Sequence, residues 1–219
     1  MFDSKRRTHD PEATREALKR AGARIFAQDG FAGAKVDRIA AAAGVNKAMI
    51  NYHFRGKRGL HAAILGEALT GLAADVEALR GAERAPEDAL RDLIAVIGRR
   101  MAEHPDLPGM MLREILDGGQ RLDAQLLPRM LAVFGATREI VQRGVKTRRF
   151  RRVDPALTHL QLVGSLMFFF ASAPFRERAV AAGRMPPELT RSAGDAGYVA
   201  HVQELMARGL AAAAGPGGK

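Results

Sequence analysis

The sequence predicts an all-α protein in two parts: a three-helix N-terminal domain with a helix-turn-helix, and a larger C-terminal helical domain. Apolar residues recur at helical spacing along most of the 219-residue chain, whereas the strict alternation of a half-buried strand is hard to find. Alanine, leucine, arginine and glutamate dominate the composition, and all four favour helix. With 47% hydrophobic residues, the chain can bury a substantial core.

Positive charge is concentrated near the N-terminus. Residues 1–60 carry 13 Lys and Arg against 6 Asp and Glu, whereas the rest of the chain carries 21 against 18. A chain that is basic at one end is typical of proteins that meet a polyanion. A merely soluble basic surface would have the same charge, so the charge alone leaves both interpretations open.

The composition also excludes several classes of protein. The chain has no cysteine, which excludes a disulfide scaffold, a thiolate metal site and a cysteine nucleophile. Its N-terminal stretch, MFDSKRRTHDPEATRE, lacks the apolar segment of a signal peptide. The most apolar run, LVGSLMFFFASA at 162–173, is too short to cross a bilayer and predicts a buried helix. We therefore expect a cytoplasmic protein that makes no membrane contact.

The first predicted helix covers residues 11–29. Asp10 is a suitable N-cap, and Pro11 suits the first helical position because its missing N–H has no partner there anyway. Gly30 is expected to end the helix, since glycine adopts the left-handed conformation of a C-cap without strain.

Two short helices and a long one are predicted next. The second covers 36–43 and ends at Gly44, the third covers 47–54 with Asn46 as its N-cap, and the fourth covers 57–79. The second is almost entirely small and apolar (VDRIAAAA), which lets another helix approach closely. A sharp turn at Gly44 between two closely packed short helices predicts a helix-turn-helix.

The third helix has a second face left over once its inward positions are assigned. The outward residues are Asn46, Lys47, Ala48, Met49, Asn51, Tyr52 and His53. In a helix-turn-helix this face lies in the major groove of DNA, with its N-terminal residues nearest the bases. The pattern therefore predicts a DNA-reading surface.

The chemistry of these side chains suits that task. Lys47 can meet a phosphate or a guanine edge, Asn51 can pair with adenine, and small Ala48 or Met49 can contact a thymine methyl. Tyr52 and His53 can donate hydrogen bonds to phosphate oxygens.

Two further lysines lie beside helix N-termini, where anions are favoured. Lys35 precedes the second helix, and Lys57 begins the fourth. For some of these residues a structural role explains the sequence equally well: Asn46 as a cap only, Met49 as a core residue, and Tyr52 and His53 as ordinary surface.

Residues 11–65 resemble the DNA-binding domain of the TetR family of bacterial transcriptional regulators. The blocks that carry the resemblance are ARIFAQDGF, VDRIAAAAGV, NKAMINYHF and GKRGL, and the spacing of all four agrees. The resemblance implies DNA contacts at Lys35, Asn46, Lys47, Ala48, Met49, Asn51, Tyr52, His53 and Lys57. The family more often has Ser or Thr at 35 and 46, Gly at 48 and Tyr at 51, so the DNA sequence that is read does not carry over.

The resemblance also implies how the molecule is organised. A DNA-binding domain at 1–57 would be followed by a ligand-binding and dimerisation domain at 58–214 and a disordered tail at 215–219. The protein would be a homodimer that binds a palindromic double-stranded DNA operator, usually to repress transcription. A small-molecule effector would release it.

The C-terminal two-thirds read as further helices. They are predicted at 87–103, 107–117, 122–147, 155–171 and 195–214, after a linker at 81–86. Pro128 either kinks the third of these helices or marks its true first turn. The helices at 155–171 and 195–214 are the expected dimer helices, because LVGSLMFFF is apolar on nearly every side.

Seven of the nine methionines lie beyond residue 100, and flexible thioethers beside aromatic rings can line an adaptable apolar pocket. The candidate pocket residues are Met101, His104, Met111, Met130, Phe134, Met167 and Phe170. Ordinary core packing also explains the methionines and phenylalanines, and a surface or salt-bridge position also explains His104.

No catalytic or metal-binding motif is present. The chain has no HExxH, no G-x-S-x-G and no P-loop, and its six histidines are scattered, so we expect neither an enzyme nor a cofactor. Two other hypotheses stay open at this stage: an activator or ligand-independent DNA binder, and a helical-bundle enzyme with an incidental N-terminal bundle.

Overall fold

The structure, a computed structural model, describes residues 10–80, 84–191 and 194–212. These residues form helices and contain no strand; one isolated bridge joins Phe150 to Ala211. The helices are α1 (Pro11–Gly33), α2 (Val36–Ala43), α3 (Ala48–Phe54), α4 (Lys57–Leu79), α5 (Pro86–Glu103), α6 (Asp106–Leu116), α7 (Leu126–Lys146), α8 (Pro155–Ala171), α9 (Ala173–Ala181), α10 (Glu188–Arg191) and α11 (Asp195–Leu210). The all-α prediction is confirmed.

The start of α1 follows its predicted cap, and its end bends at the predicted glycine. The Asp10 carboxylate accepts a hydrogen bond from the Glu12 N–H at 3.0 Å, and Pro11 begins the helix. Gly30 has φ +72° and ψ 174°, so regular helix stops there and a short further turn carries the chain to Gly33. Only glycine adopts such a backbone easily.

The helix-turn-helix forms where the sequence predicts it. Gly44 has φ +68° and ψ 28°, the left-handed conformation that ends α2. The Asn46 side-chain oxygen then accepts a hydrogen bond from the Ala48 N–H at 2.8 Å. Asn46 therefore caps α3, which begins at Ala48, one residue later than predicted.

The C-terminal helices agree with the prediction in number and order, except for two that were missed. Pro128 lies in the first turn of α7, the second of the two predicted alternatives. No local signal predicted α9, which has no buried residue and hence no apolar face, or the four-residue α10. Residues 81–83 of the predicted linker and the tail at 215–219 lie outside the described residues.

Two hydrophobic cores run through the molecule. The first joins α1–α4 to side chains of α6 and α7, and its most deeply buried members include Leu18, Phe26, Ile50 and Met110. The second joins the end of α4 to α5, α7, α8 and α11. Because α6 contributes to the first core, the N-terminal helices pack directly on the C-terminal ones. The domain boundary at 57/58 stays a prediction.

Among the described residues, no single helix is long and apolar enough to cross a membrane. Only α8 and α9 taken together pass on length and hydropathy, and they are bent by 45°. No group of three or more His, Asp or Glu side chains within the same residues is arranged to hold a metal ion.

Candidate nucleic-acid interface

α3 has two faces of opposite character. Ile50 is fully buried and Phe54 is buried beside it, both in the first core. On the other side Tyr52 is 75% exposed, and Asn46, Lys47, Ala48 and Asn51 are also exposed. This face is held by the core beneath it but is itself open to a partner.

Two of the predicted reading residues are less exposed than the others. Met49 is half-buried and packs against the first core, so only part of its thioether reaches the outer face. His53 is half-buried between two aromatic neighbours, with ring centroids 4.9 Å from Tyr52 and 6.1 Å from Phe54. The edge-on contact with Tyr52 orders the two polar rings as a pair.

The lysines differ in their surroundings. Lys35 is exposed at the N-terminus of α2. Lys47 pairs with Asp37 at 3.2 Å, but both side chains are well exposed, and such pairs contribute little in water. The Lys47 ammonium can therefore exchange Asp37 for another anion at small cost.

Lys57 lies against the protein. Its Nζ is 4.6 Å from the centre of the Phe31 ring and donates a long hydrogen bond of 3.4 Å to the Ala32 carbonyl. Burial, together with the nearby charge of Arg121, lowers the pKa of the Lys57 ammonium. Another anion would have to compete with these contacts for the Lys57 ammonium.

Two arginines that the sequence analysis did not select lie beside α3. Arg55 is exposed and adopts a left-handed backbone (φ 59°) at the C-terminus of α3, and Arg58 is exposed in the first turn of α4. The signal that could have found them is the basic run RGKR at 55–58, of which only Lys57 was predicted to contact DNA.

Arg38 was also not among the residues predicted from the sequence. Its guanidinium, on α2, bonds to the Asp29 carboxylate and reaches the Gln28 side-chain oxygen at 3.3 Å, which fastens α2 to the end of α1.

The end of α1 is also held from the C-terminal part of the chain. Arg113 on α6 donates to the carbonyls of Ala27 and Gln28, both at 2.8 Å. These carbonyls lie in the last turn of α1 before Gly30, where helical partners run out. The planar guanidinium satisfies both at once, so the position of the N-terminal helices depends on α6.

A buried polar cluster lies between α4 and α6. Glu114 is 1% exposed and His61 is 2% exposed. The Glu114 carboxylate accepts the Arg121 backbone N–H at 2.8 Å and lies 3.0 Å from its guanidinium Nε, while His61 Nε2 is 3.8 Å from Glu114. Burial, reinforced by the charge of Arg121, lowers the pKa of the His61 imidazole to about 4, so His61 is neutral at pH 7.

The predicted pocket residues do not gather in one place. Met111, Met130 and Met167 lie in or against the first core, whereas Met101 and Phe170 belong to the second. The Phe134 ring is 5.3 Å from that of His159, and His104 is exposed after α5. A pocket formed by all seven stays a prediction.

Two family models match the chain. The model for bacterial regulatory proteins of the tetR family matches residues 18–64, and the tetracyclin repressor-like C-terminal domain matches residues 86–205. Together they take in α3 with its exposed face and the helices that support it. The chain belongs to the TetR family.

Similar proteins agree with this membership. The HTH-type transcriptional repressor NicS of Pseudomonas putida is 27% identical over 207 residues, which is 93% of this chain and 95% of the relative. The HTH-type transcriptional regulator RutR of Escherichia coli is 25% identical over 77% of this chain and 79% of its own length. The crystal structure of HlyIIR, a hemolysin II transcriptional regulator, has a TM-score of 0.66 at 23% identity and covers 92% of this chain and 98% of its own, which shows a shared fold.

TetR-family proteins are transcriptional regulators and not enzymes, and they bind DNA operators as dimers and respond to small-molecule effectors. This chain is accordingly a DNA-binding transcriptional regulator.

Proposed function

We propose that this TetR-family regulator is a repressor that binds a palindromic double-stranded DNA operator as a homodimer and leaves it when a small-molecule effector binds. The exposed face of α3 carries the proposal, because Tyr52 is 75% exposed while Ile50, two residues before it, is fully buried. The face of α3 that carries Tyr52 is open to a partner, and the buried Ile50 anchors the helix in the core. Such a helix suits insertion into a major groove.

Each side chain on this face has a role in the proposed complex. Lys47, Ala48, Met49 and Asn51 face the bases from the N-terminal half of α3, with Asn46 at the cap. Tyr52 and His53 donate to phosphate oxygens.

Cations around α3 are proposed to neutralise further phosphates. Lys35 lies on one side, and Arg55 and Arg58 lie on the other. Lys57 joins them after it leaves the Phe31 ring.

The dimer is proposed to form through α8 and α11. Three apolar side chains of α8 are largely exposed in the single chain: Leu157, Leu160 and Phe168. Leu205 of α11 is exposed as well, and α8 packs on α11. Covering these side chains with a second copy removes a large apolar surface from water, and it presents two copies of α3 to one operator.

Release is proposed to be a shift between two dimer forms. An operator with two half-sites requires the two α3 helices about 34–36 Å apart, the spacing of successive major grooves. An effector that binds a differently spaced form more tightly lowers operator affinity in proportion to that preference. Such a regulator of chromosomal DNA works in the bacterial cytoplasm at the nucleoid.

The test is selection of bound sequences from a pool of random DNA duplexes, together with the promoter region beside the protein's own gene. We expect enrichment of one palindromic sequence and protection of that sequence in the promoter. In a reporter strain, deletion of the gene should raise transcription from the promoter. If no palindrome is enriched from either DNA source, the protein is not an operator-binding regulator; if deletion lowers transcription, it is an activator.

A further inference from the structure

A cleft separates the N-terminal helices from the C-terminal ones on the side of α1 that faces α5. Its volume is about 860 Å³, which is within the range of sites for small organic molecules. Small apolar side chains of α1, α2 and α4 form much of its lining, including Ala21, Ala43, Ile64 and Ala68. Charged side chains form most of the remainder.

Several of these charges already have partners. Lys19 bonds to both Glu16 and Glu67, and the Arg100 guanidinium donates to the Asp75 carboxylate at 2.8 Å. These groups offer little to a ligand, because a bound molecule would first have to displace a protein partner.

Arg20 and Arg24 are different. They are exposed, line the cleft one helical turn apart on α1, and make no ion pair or side-chain hydrogen bond within the described part of the chain. Residues spaced i, i+4 lie on the same side of a helix. The cleft therefore has two unengaged guanidinium groups on one wall.

The opposite wall is formed by the turn between α5 and α6. His104, Pro105 and Asp106 line it. Burial raises the pKa of the Asp106 carboxyl, and the positive charge of Arg24 opposes this rise. Asp106 and Arg24 both line the cleft and form no ion pair with each other, so the Arg24 guanidinium can bind a third group.

We propose that this cleft is a binding site for a small organic carboxylate, held at its anionic end by Arg20 and Arg24 and at its apolar end by the alanine-rich lining. Guanidinium groups match a carboxylate in shape and charge better than any other side chain does. The apolar lining favours a ligand with a short hydrocarbon body over inorganic phosphate.

A ligand in this cleft contacts both parts of the molecule. Arg20 and Arg24 belong to α1, which supports the helix-turn-helix, whereas His104 and Asp106 precede and begin α6, whose Arg113 holds the end of α1. Occupancy therefore couples the position of α1 to that of α6. We expect this coupling to change the affinity for DNA. That expectation rests on the proposed function, whereas carboxylate binding does not.

The binding test uses full-length protein with ¹³C-labelled alanine methyl groups and sodium hexanoate as the probe. We expect saturable shifts of the Ala21, Ala43 and Ala68 methyl signals, with Ala136 of the second core unmoved. Hexanamide, which lacks the charge, and sodium chloride at equal concentration should leave all four in place. Hexanoate shifts that are absent, or no larger than those with hexanamide, overturn the site.

Two variants make the assignment specific. In the Arg20→Gln/Arg24→Gln double variant the hexanoate affinity should fall at least tenfold, while Arg138→Gln, which removes an exposed arginine of α7 outside the cleft, should match wild type. Both variants change exposed residues, and circular dichroism melts check that the fold is kept. Equal hexanoate affinity in the double variant and wild type would overturn the arginine assignment.

The coupling test measures operator affinity by fluorescence anisotropy with and without saturating hexanoate. We expect at least a threefold change in the wild-type Kd and none in the double variant. If the alanine signals shift but the Kd does not, the cleft binds carboxylates without regulating DNA binding, and the coupling is overturned. If wild type binds no operator at all, the proposed function fails while the carboxylate site stands.

Discussion

Tyr52 and Ile50 of α3 are two residues apart and have opposite environments, 75% and 0% exposed. The phenol of Tyr52 belongs to the proposed DNA surface, and the side chain of Ile50 fills the first core. A substitution at each position therefore separates DNA binding from folding.

Tyr52→Ala should weaken operator binding about tenfold or more, since a hydrogen bond to a charged phosphate contributes roughly 1.5–3 kcal/mol. Its free energy of unfolding should change by less than about 0.5 kcal/mol because the side chain is exposed. The comparison is Ile50→Ala, which should cost about 2–5 kcal/mol of stability. Anisotropy and urea denaturation measure the two effects, and a clearly destabilised Tyr52→Ala would show that the ring is part of the core.

His61 makes stability depend on pH. It faces Glu114, Arg121 and Lys57 in the buried contact between α4 and α6, and its folded-state pKa is about 4 against 6.5 in the unfolded chain. As pH falls below 6.5 the unfolded state takes up a proton that the folded state does not, so this contribution to stability is present above pH 6.5 and is lost toward pH 4.

Between pH 7 and pH 5 the wild-type protein should lose about 2 kcal/mol more unfolding free energy than the His61→Gln variant. Urea denaturation at fixed protein concentration measures the difference. His201→Gln changes an exposed histidine and should keep the full wild-type loss. If the His61→Gln and wild-type losses are equal, His61 is not neutral in the folded protein.

At the scale of elements, the position of α3 depends on how closely α4 follows it. A Cβ at Gly59 would lie 1.7 Å from the Phe54 carbonyl oxygen. Only glycine at position 59 therefore allows the first turn of α4 to lie so close to the end of α3. By contrast, a Cβ at Gly66, further along the same helix, would be 3.4 Å from the nearest Leu126 methyl.

Gly59→Ala should therefore destabilise the protein by about 2 kcal/mol or more, because the two helices must separate, and operator binding should weaken as α3 shifts. Gly66→Ala should lie within about 1 kcal/mol of wild type, since alanine favours helix over glycine. Thermal melts and anisotropy on both variants provide the comparison. A harmless Gly59→Ala would mean that the α3–α4 junction is flexible enough to absorb a methyl group.

At the scale of the whole molecule, the apolar surface is uneven. Phe168 is 70% exposed and Leu160 is 65% exposed on α8, although Phe168 belongs to the most apolar run of the sequence. Large apolar side chains gathered on one exposed face indicate a protein interface.

Phe168→Glu should convert the dimer to a monomer, because two charges would be buried at the proposed α8 interface. Light scattering after size exclusion measures the mass, and operator affinity should fall at least a hundredfold because the two half-sites lose their linkage. Leu116→Glu is the control, since Leu116 is 76% exposed on α6, which is not one of the two helices of the proposed interface. If Phe168→Glu remains dimeric, the two copies meet on another surface.

The sequence was sufficient to predict helices with a strong local signal. α2, α4 and α8 have their predicted bounds. Gly44 ends α2, Gly56 precedes α4, and Asp154 with Pro155 starts α8, and each of these signals depends only on the residue itself and its nearest neighbours. α9 was missed because it buries no side chain and so leaves no apolar pattern. Local signals also identified the exposed face of α3, where core positions and polar positions alternate at helical spacing.

Contacts between distant residues had to come from the tertiary structure. The sequence determined by itself that the chain is helical, that its basic end contains a helix-turn-helix, and that α3 has one face outside the core, because these depend on neighbours within a few positions. Tertiary packing alone decided that Lys57 lies on Phe31, that Arg113 holds α1, and that Arg20 and Arg24 line one cleft with Asp106. Such pairings depend on how α4, α5 and α6 pack against α1, and no local spacing encodes that arrangement.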